Sequence, residues 1–420
     1  MRILIISHTA FSNTESMGKT LSNYFCEFHP GDLAQFYIQP QKPSSSICQR
    51  YYRLTDKEAF LSIFGLRKGT PFFADDLTKD GKSKSPSGLV TSLYKKGRKR
   101  TPLIYFFRNA MWSLSNWNNK KLRNWIDNFN PDCVFFASGD YSFMYKIALQ
   151  IASSRRIPLY ISCMDDYYFN NRNDKTHFGR FLHKKFMNVV KKTIAYSNGV
   201  FCICEKMSDD YSRYFNKKCY TLPTPASFVG PLNITKTARI SYLGSLGHRR
   251  DDQLVEIGRT IKKIGLNPCF IDVYSSENRK EILSKLSIDN GIVFHGEINS
   301  SEVLKTIGES LAVIHTESFN EETRKSVKYS VSTKIADSLE SGTCIFAYGP
   351  QEVASISYLN NNEAAFCCFE KNGLDKSLRR LIMDNEERNR IIINARLLAI
   401  KNHSKSNASK IIKNVIEQGA

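Results

Sequence analysis

The 420-residue chain contains no apolar run approaching the roughly 18–20 residues needed to cross a bilayer, so no transmembrane helix is expected. Its opening, Met1-Arg-Ile-Leu-Ile-Ile-Ser7, is too short for a signal peptide and has no cleavage site, which points to the cytosol. Eleven cysteines are present, but the paired spacing of a zinc site is not. Cys202-x-Cys204 and Cys367-Cys368 do not supply it, and Cys133, Cys202, Cys204, Cys269 and Cys344 fall in apolar strand patterns, as reduced core thiols do. A phosphate loop is also missing. Gly18-Lys19-Thr20 resembles its end, yet the motif needs glycine five residues earlier and position 13 is Asn, which excludes an ATPase of that type. Acid is scarce in the first half: residues 1–220 hold 34 Lys and Arg against 17 Asp and Glu, while residues 221–420 hold 26 against 23. Such asymmetry implies an anionic partner, whether nucleic acid, anionic lipid or a pyrophosphate-bearing acceptor, or else a solvated basic face that needs none.

The composition, 41% hydrophobic and 24% charged, is that of a globular protein long enough for two cores. Arg2–Ser7 is a continuous apolar run of the central parallel-strand kind, followed by a polar loop and a helix from about Thr20. Residues 40–130 break the alternation. Pro40–Ser46 is turn-rich, Asp75–Gly88 is polar, and the basic run Lys95-Lys-Gly-Arg-Lys-Arg100 leads into an aromatic, apolar helix over Leu103–Leu114, with Trp117 beyond. Cations beside such a helix read as a membrane-surface anchor, although Arg108 and Asn109 interrupt the apolar face; the alternative is a core helix after a solvated loop. From Pro131 strands and helices alternate regularly, and Asp165-Asp166 falls just past the carboxyl end of the strand Pro158–Cys163, where α/β domains keep their chemistry. That pair could hold a metal or contact an acceptor; a lone Asp-Asp is weak support for a metal, and none is expected.

Thr221–Lys236, carrying Pro223, Pro225 and Pro231, reads as a linker. The second half opens as a strand, Arg239–Leu243, a Gly-rich loop through Gly244, Ser245, Gly247 and Arg250, and a helix over Asp252–Ile264. Gly-x-Leu-Gly with two arginines after a strand favours an anion site. Further on, Val331–Pro350 packs the most chemistry into the fewest residues. Ser332 and Thr333 are good N-cap residues, Ile335, Ala336 and Leu339 give an apolar face, Gly342 stops the helix, and Cys344–Tyr348 is a buried strand. Lys334 in the first turn is unfavourable unless an anion neutralises it, and Asp337 stands one turn up the same face. Hydroxyls, free amides, a cation and a carboxylate at one helix start suit a nucleoside diphosphate, with phosphates at the tip and ribose on the acid; an ordinary capped helix is the bland alternative.

This segment resembles the nucleotide-binding helix of retaining family-four glycosyltransferases, in particular the branch from bacterial surface-polysaccharide (O-antigen or capsule) biosynthesis. That branch carries Ser/Pro-Thr/Ser-Lys-Ile…Gly before a strand ending in Tyr-Gly-Pro, here Ser332–Gly342 and Tyr348–Pro350. The resemblance is strongest over about residues 131–370 and weak over 40–130. It implies an α/β GT-B fold of two Rossmann-like doubly wound domains facing a cleft: residues 1–220 for the acceptor, 221–237 as linker, 238–400 for the nucleotide sugar, and 401–420 as a helix expected to cross back. It further implies that Gly18 lies near the transferred sugar, that Gly244, Arg250 and Lys334 grip the diphosphate with Ser332 and Thr333, and that Asp337, where Glu is more usual, holds the ribose. Ser245 stands where many members place Arg, shifting that load to Arg250 and Lys334. Gly296 and Glu297 are expected at the base, Glu317 at the donor sugar, and Asp165 at the acceptor, while the basic loop Asn320–Ser330 is expected to close over the donor. Asp165, Glu317, Arg250 and Lys334 make up the expected catalytic set. The implied activity is transfer of a hexose from a nucleotide sugar to a lipid-linked glycan, with retention, no cofactor and no metal, by a cytoplasmic enzyme peripheral on the inner membrane through Lys95–Trp117. Two alternatives stand beside it: a nucleotide-sugar 2-epimerase on the same fold, and a non-catalytic basic protein binding polyanions or membranes.

Overall fold

The computed structural model of the protein describes residues 1–14, 16–66, 69–79, 101–170 and 176–419. The chain divides into two compact units, Met1–Leu222 with Ala408–Ala420, and Pro223–Asn407. The last helix, Lys405–Gln418, therefore gives most of its length to the first unit, where Ile412, Val415 and Ile416 are buried and Ser409 Oγ donates to the Tyr24 carbonyl at 2.8 Å.

The first unit is built on eight strands: β1 (Ile3–Ser7), β2 (Leu33–Tyr37), β3 (Arg50–Arg53), β4 (Thr70–Phe73), β5 (Cys133–Ala137), β6 (Leu159–Cys163), β7 (Gly199–Cys202) and β8 (Cys219–Thr221), in the order β4-β3-β2-β1-β5-β6-β7-β8. All neighbours run parallel except the edge strand β4, which is antiparallel to β3. β1 is central, with Ile3 in register with Leu33 on one side and Cys133 on the other. Every residue of β1 is buried, as expected of a strand covered on both faces. The sheet reverses direction of growth between β1 and β5, and the loop leaving β1 is held there by Gln35. That buried amide donates to Ser7 Oγ (2.9 Å) and the Thr9 carbonyl (3.1 Å) and accepts from the Phe11 N–H (3.0 Å).

Residues 40–130, which gave no clean alternation in sequence, contribute β3, β4 and the helices Asp56–Ile63, Pro102–Leu114 and Lys120–Phe129. Their order comes from contacts distant in the chain. Asp56 accepts from Trp112 Nε1 at 2.7 Å and Arg108 Nε at 3.1 Å, and Trp112 stacks on Phe143 with centroids 4.6 Å apart. Arg108 and Asn109, which seemed to interrupt an apolar outer face, are both turned inward. Asn109 Oδ1 accepts from Ser142 Oγ (2.7 Å) and the Phe143 N–H (3.2 Å), capping the helix Ser142–Arg155, whose own N-cap residue supplies no side-chain bond. The run Lys95–Arg100 and most of Asp75–Gly88 lie outside the described residues.

The second unit carries β9 (Ile240–Leu243), β10 (Ile271–Tyr274), β11 (Ile292–Gly296), β12 (Ala312–Thr316), β13 (Cys344–Tyr348) and β14 (Phe366–Cys368), all parallel in the order β11-β10-β9-β12-β13-β14. This is the doubly wound order, with its switch point between β9 and β12. Two expectations are corrected here. Cys269 precedes β10 and is exposed, because its strand begins two residues later; Cys133, Cys202, Cys204 and Cys344 are buried. The segment 320–330 is not an open basic loop, because Asn320 caps a helix, Glu321–Val327, and Arg324 and Lys325 are paired with Glu352 and Glu321. Among the described residues no helix is long and apolar enough to cross a membrane.

Replacing Gln35 by Leu strands the Phe11 N–H beneath the sheet and takes one of its two donors from the Thr9 carbonyl, which keeps Ser7 Oγ. We expect a loss of about 2–4 kcal/mol of unfolding free energy, the cost of buried groups left without partners. Urea unfolding of the purified variant measures it, and a midpoint equal to that of wild type would remove Gln35 from this role.

Candidate functional site

The carboxyl ends of β9 and β12 open onto a cavity of about 180 Å³ within the second unit, lined among others by Tyr242, Ser245, Arg250, His315, Lys334 and Asp337. Its place at the switch point is where doubly wound sheets take ligands. The volume is below the roughly 300–1,000 Å³ of whole small-molecule sites, so the enclosed space suits part of a ligand and not all of it.

Two helix starts converge on it. The first is the helix Arg250–Ile264, entered through His248 and Arg249, both left-handed at φ 60° and 56°. Two successive non-glycine residues in that region cost energy and mark a loop held by its surroundings. Arg249, the N-cap, makes no side-chain capping bond; the Asp252 N–H donates to its carbonyl at 3.3 Å, and the Arg250 and Asp251 amides that precede it have no capping side chain. The second is Thr333–Glu340, where Ser332 Oγ caps by accepting from the Lys334 N–H at 3.3 Å. Thus Ser332 is partly spent on its own helix, and Thr333 is exposed.

Arg250 is fixed by donors on one edge of its guanidinium: Nε donates to the Thr316 carbonyl (3.1 Å), and Nη2 to both oxygens of Glu317 (2.8 and 3.0 Å). Glu317 is 0% exposed. Burial raises its carboxyl above the usual range even against the guanidinium. For Arg250 desolvation acts downward, but Glu317 and Tyr242 more than offset it and the group stays charged. Glu317 is the buried counter-ion that holds Arg250 at the cavity wall.

Lys334 has an exposed stem, but its ammonium is drawn inward over Gly244, where a Cβ built on the glycine would lie 2.5 Å from Nζ. Glycine at 244 therefore makes room for the lysine. Burial of the ammonium, with the Arg250 cation next in effect, lowers its pKa to about 8. Beside these cations His315 is kept neutral, pushed down to about 3 by burial and then by Arg250, with Nε2 2.9 Å from Ser355 Oγ. Burial lifts Tyr242 to about 12, and its hydroxyl donates to the Ser245 carbonyl at 2.6 Å.

Asp337 lines the same cavity but is not idle. Its oxygens accept from the Ser227 N–H (2.6 Å) and Ser227 Oγ (3.0 Å), so its orientation is set by the segment entering the unit. A carboxylate offers about four acceptor directions, so Ser227 does not exhaust it.

Arg250, Lys334, Ser332, Asp337, Gly244 and Ser245 are thus brought together. Gly296 and Glu297 are not at this cavity; they end β11, two strands away at the sheet edge, with Gly296 at φ 75° accepting from the Ser275 N–H at 2.8 Å. In the first unit Gly18 packs hard against the Ala10 carbonyl, a close helix–loop contact that requires glycine there. Asp165 sits in the loop after β6, its Oδ1 accepting from the Asp166 N–H at 3.0 Å. The buried Asp166 accepts from the Tyr168 and Phe169 N–H groups (3.1 and 3.0 Å) and Tyr211 Oη (2.8 Å), so it braces that loop. Sequence reading passed over His315 and Tyr242; each occupies the end of a switch-point strand, the one signal that marked them.

No protein-family model matches the sequence, and no curated protein does. Solved structures do. Sucrose-phosphate synthase from Thermosynechococcus elongatus aligns over 100% of this chain and 99% of its own, with a TM-score of 0.62 at 10% identity. HepE of Anabaena in complex with UDP aligns over 100% of both chains (TM-score 0.61, 10% identity). A TarM variant from S. aureus, in complex with UDP, alpha-GlcNAc-glycerol and Fondaparinux, covers 99% of this chain and 100% of its own (0.60, 11%). The fold is therefore that of the GT-B glycosyltransferases, two α/β units with parallel-dominated sheets.

Two outcomes follow from the geometry. A diphosphate favours charged Lys334, so below pH 8 binding meets the cation ready-made, whereas above it binding must take up a proton. Affinity for a nucleoside diphosphate should fall as pH rises from about 7 to 9, by several-fold per unit and under the tenfold limit because the stem is solvated. Calorimetry in buffers of different ionisation enthalpy reads the proton directly, and Lys334→Met should abolish the slope. Separately, Glu317→Ala leaves Arg250 without its counter-ion and should cost about 3–5 kcal/mol of stability together with diphosphate affinity. Unchanged melting and unchanged binding in that variant would remove Glu317 from the counter-ion role.

Proposed function

We propose that the protein is a glycosyltransferase that moves a hexose from a nucleotide diphosphate sugar to a lipid-linked glycan, with retention of anomeric configuration, in bacterial surface-polysaccharide synthesis. The observation that carries this reading is the pair of cations, Arg250 and Lys334, set at two helix starts around one switch-point cavity with an acid, Asp337, one turn above. The UDP in the HepE and TarM complexes makes UDP the first nucleotide to try.

In this reading the diphosphate is the leaving group, and catalysis consists of stabilising the charge it gains. Arg250 keeps its place because Glu317 holds it, and Lys334 becomes fully cationic as phosphate approaches. The uncapped amides of Arg250–Ile264 add fixed dipoles that need no reorganisation. Asp337 aligns the ribose, so the sugar carbon is presented in one pose. No enzyme nucleophile is assigned: in a front-face transfer the departing diphosphate oxygen takes the proton of the attacking hydroxyl. Asp165, at the end of β6 in the other unit, is assigned to the acceptor. We place the enzyme on the cytoplasmic face of the inner membrane, in contact with anionic lipid through Lys95–Trp117.

The deciding experiment incubates the protein with membranes and a panel of nucleotide sugars and analyses the glycan formed. A new α-linked hexose from an α-linked donor, with free nucleoside diphosphate, is expected. An altered free nucleotide sugar with no acceptor product would mean an epimerase, and salt-sensitive polyanion binding without nucleotide preference would mean neither. Arg250→Ala and Lys334→Ala should each lose about 2–4 kcal/mol of transition-state stabilisation in kcat/KM, the scale of one electrostatic donor. Calorimetric binding of nucleoside diphosphate left intact in both variants would sink the assignment.

A further inference from the structure

The helix Pro102–Leu114 is the reverse of an ordinary surface helix. Its one charged residue, Arg108, faces inward onto Asp56 and over the Tyr141 ring at 4.0 Å, and Trp112 is buried beside it. Outward it shows Leu103, Phe106, Phe107 and Leu114, one helical stripe, with Phe107 at 61% and Leu114 at 72% exposure. A helix that hides its charge and exposes its aromatics lacks the usual polar outer face.

The stripe continues onto a second helix, His177–Tyr196. Phe178 and Phe181 are exposed there, and the Phe106 and Phe178 rings meet edge to face at 5.8 Å. This helix holds Arg180, Lys184, Lys185, Lys191 and Lys192 and not one Asp or Glu in 20 residues. Lys185 Nζ lies 4.5 Å over the Phe181 ring, so cation and aromatic are presented together.

We propose that these two helices form one docking surface for an anionic lipid bilayer, with Leu103, Phe106, Phe107, Phe178 and Phe181 entering the headgroup layer and Arg180, Lys184 and Lys185 meeting lipid phosphates. Several exposed rings beside an acid-free cationic rim match the chemistry of such an interface. A second copy of this chain is the poorer occupant, because a two-fold contact would set the same acid-free rim against itself. The inference rests on the membrane-contact reading above and extends it from the single segment Lys95–Trp117 to a second anchor on a separate helix.

The test uses the full chain in co-sedimentation with vesicles of phosphatidylglycerol and phosphatidylcholine, and with phosphatidylcholine alone. Phe178→Ser with Phe181→Ser leaves Lys95–Arg100 untouched and should lower partitioning onto the anionic vesicles at least tenfold. Lys184→Gln with Lys185→Gln should lower it several-fold, with a weaker salt dependence than wild type. Both variants alter exposed side chains, so thermal melting should match wild type, and transfer to a short soluble acceptor should persist. Wild-type partitioning in the Phe178/Phe181 variant, with loss only when Lys95–Arg100 are neutralised, would return the contact to the first segment and overturn the two-helix surface alone. No preference for the anionic vesicles would overturn both. A dimer that the Phe variants dissolve, without vesicle binding, would replace lipid by a second copy; neither result touches the transferase assay.

Discussion

The second unit is organised by a buried ion pair spanning its switch point. Arg250 begins the helix that follows β9, and Glu317 follows the end of β12, so their contact ties together the two strands between which the sheet reverses. Such a pair is dear to bury and is poor support for stability by itself. What it supplies is a cation of fixed position. Glu317 accepts both hydrogen bonds from a single nitrogen, Nη2, while Nε is held by the Thr316 carbonyl, so the guanidinium cannot swing toward solvent. The neighbouring Lys334 makes no ion pair among the described residues, and burial, with the Arg250 cation next in effect, lowers its pKa. Two cations, one held in an ion pair and one drawn inward on a flexible stem, thus meet at one cavity wall.

Much of this was legible along the chain, and the reasons are local. Apolar runs such as Ile3–Ser7 and Cys344–Tyr348 declare buried parallel strands, and Ser332 before Thr333–Glu340 declares a helix start with Lys334 in its first turn. The misreadings concern partners remote in sequence. Nothing local to Glu317 announces its partner, because Arg250 stands 67 residues earlier in the chain. Asp337 reads as an open carboxylate until Ser227, 110 residues earlier, caps it. The same holds for residues 40–130, where Asp56 organises Arg108 and Trp112 across more than 50 residues, so that two polar positions which seemed to spoil an apolar face are on the other side of the helix.

The segment after Pro223 reads as a linker by its prolines, and the structure makes it part of the second unit. Three of its N–H groups are satisfied by the helix Thr333–Glu340 and its end: Ser227 by Asp337, Gly230 by Glu340, and Leu232 by the Ser341 carbonyl. Glu340 in turn takes Arg396 from the helix Asn385–Asn402. The acids of one short helix thus serve the cavity on one side and the entering chain on the other. An eight-residue helix has little stability of its own, so these contacts, with burial of Ile335, Ala336 and Leu339, are what keep its first turn aimed at the cavity.

The same closeness accounts for small residues that otherwise look like turn formers. Gly244 ends β9 under the Lys334 ammonium, and Gly349 follows β13 with its Cα against the Glu317 backbone, where a Cβ would lie 2.8 Å from the Glu317 carbonyl oxygen. At that point the Glu317 N–H donates to the Tyr348 carbonyl at 3.0 Å, and Thr316 Oγ1 donates to it at 2.7 Å. Tyr-Gly-Pro therefore has a physical reading here. Tyr348 sends its hydroxyl to Glu256 on the helix that Arg250 begins, Gly349 lets the strand end lie on Glu317, and Pro350 turns the chain away. Each of these residues bears on the placement of Arg250, either through its counter-ion or through its helix. A side chain at either glycine would displace a charge before it disturbed the sheet, which is why the constraint at this end of the unit is electrostatic in effect although it is steric in origin.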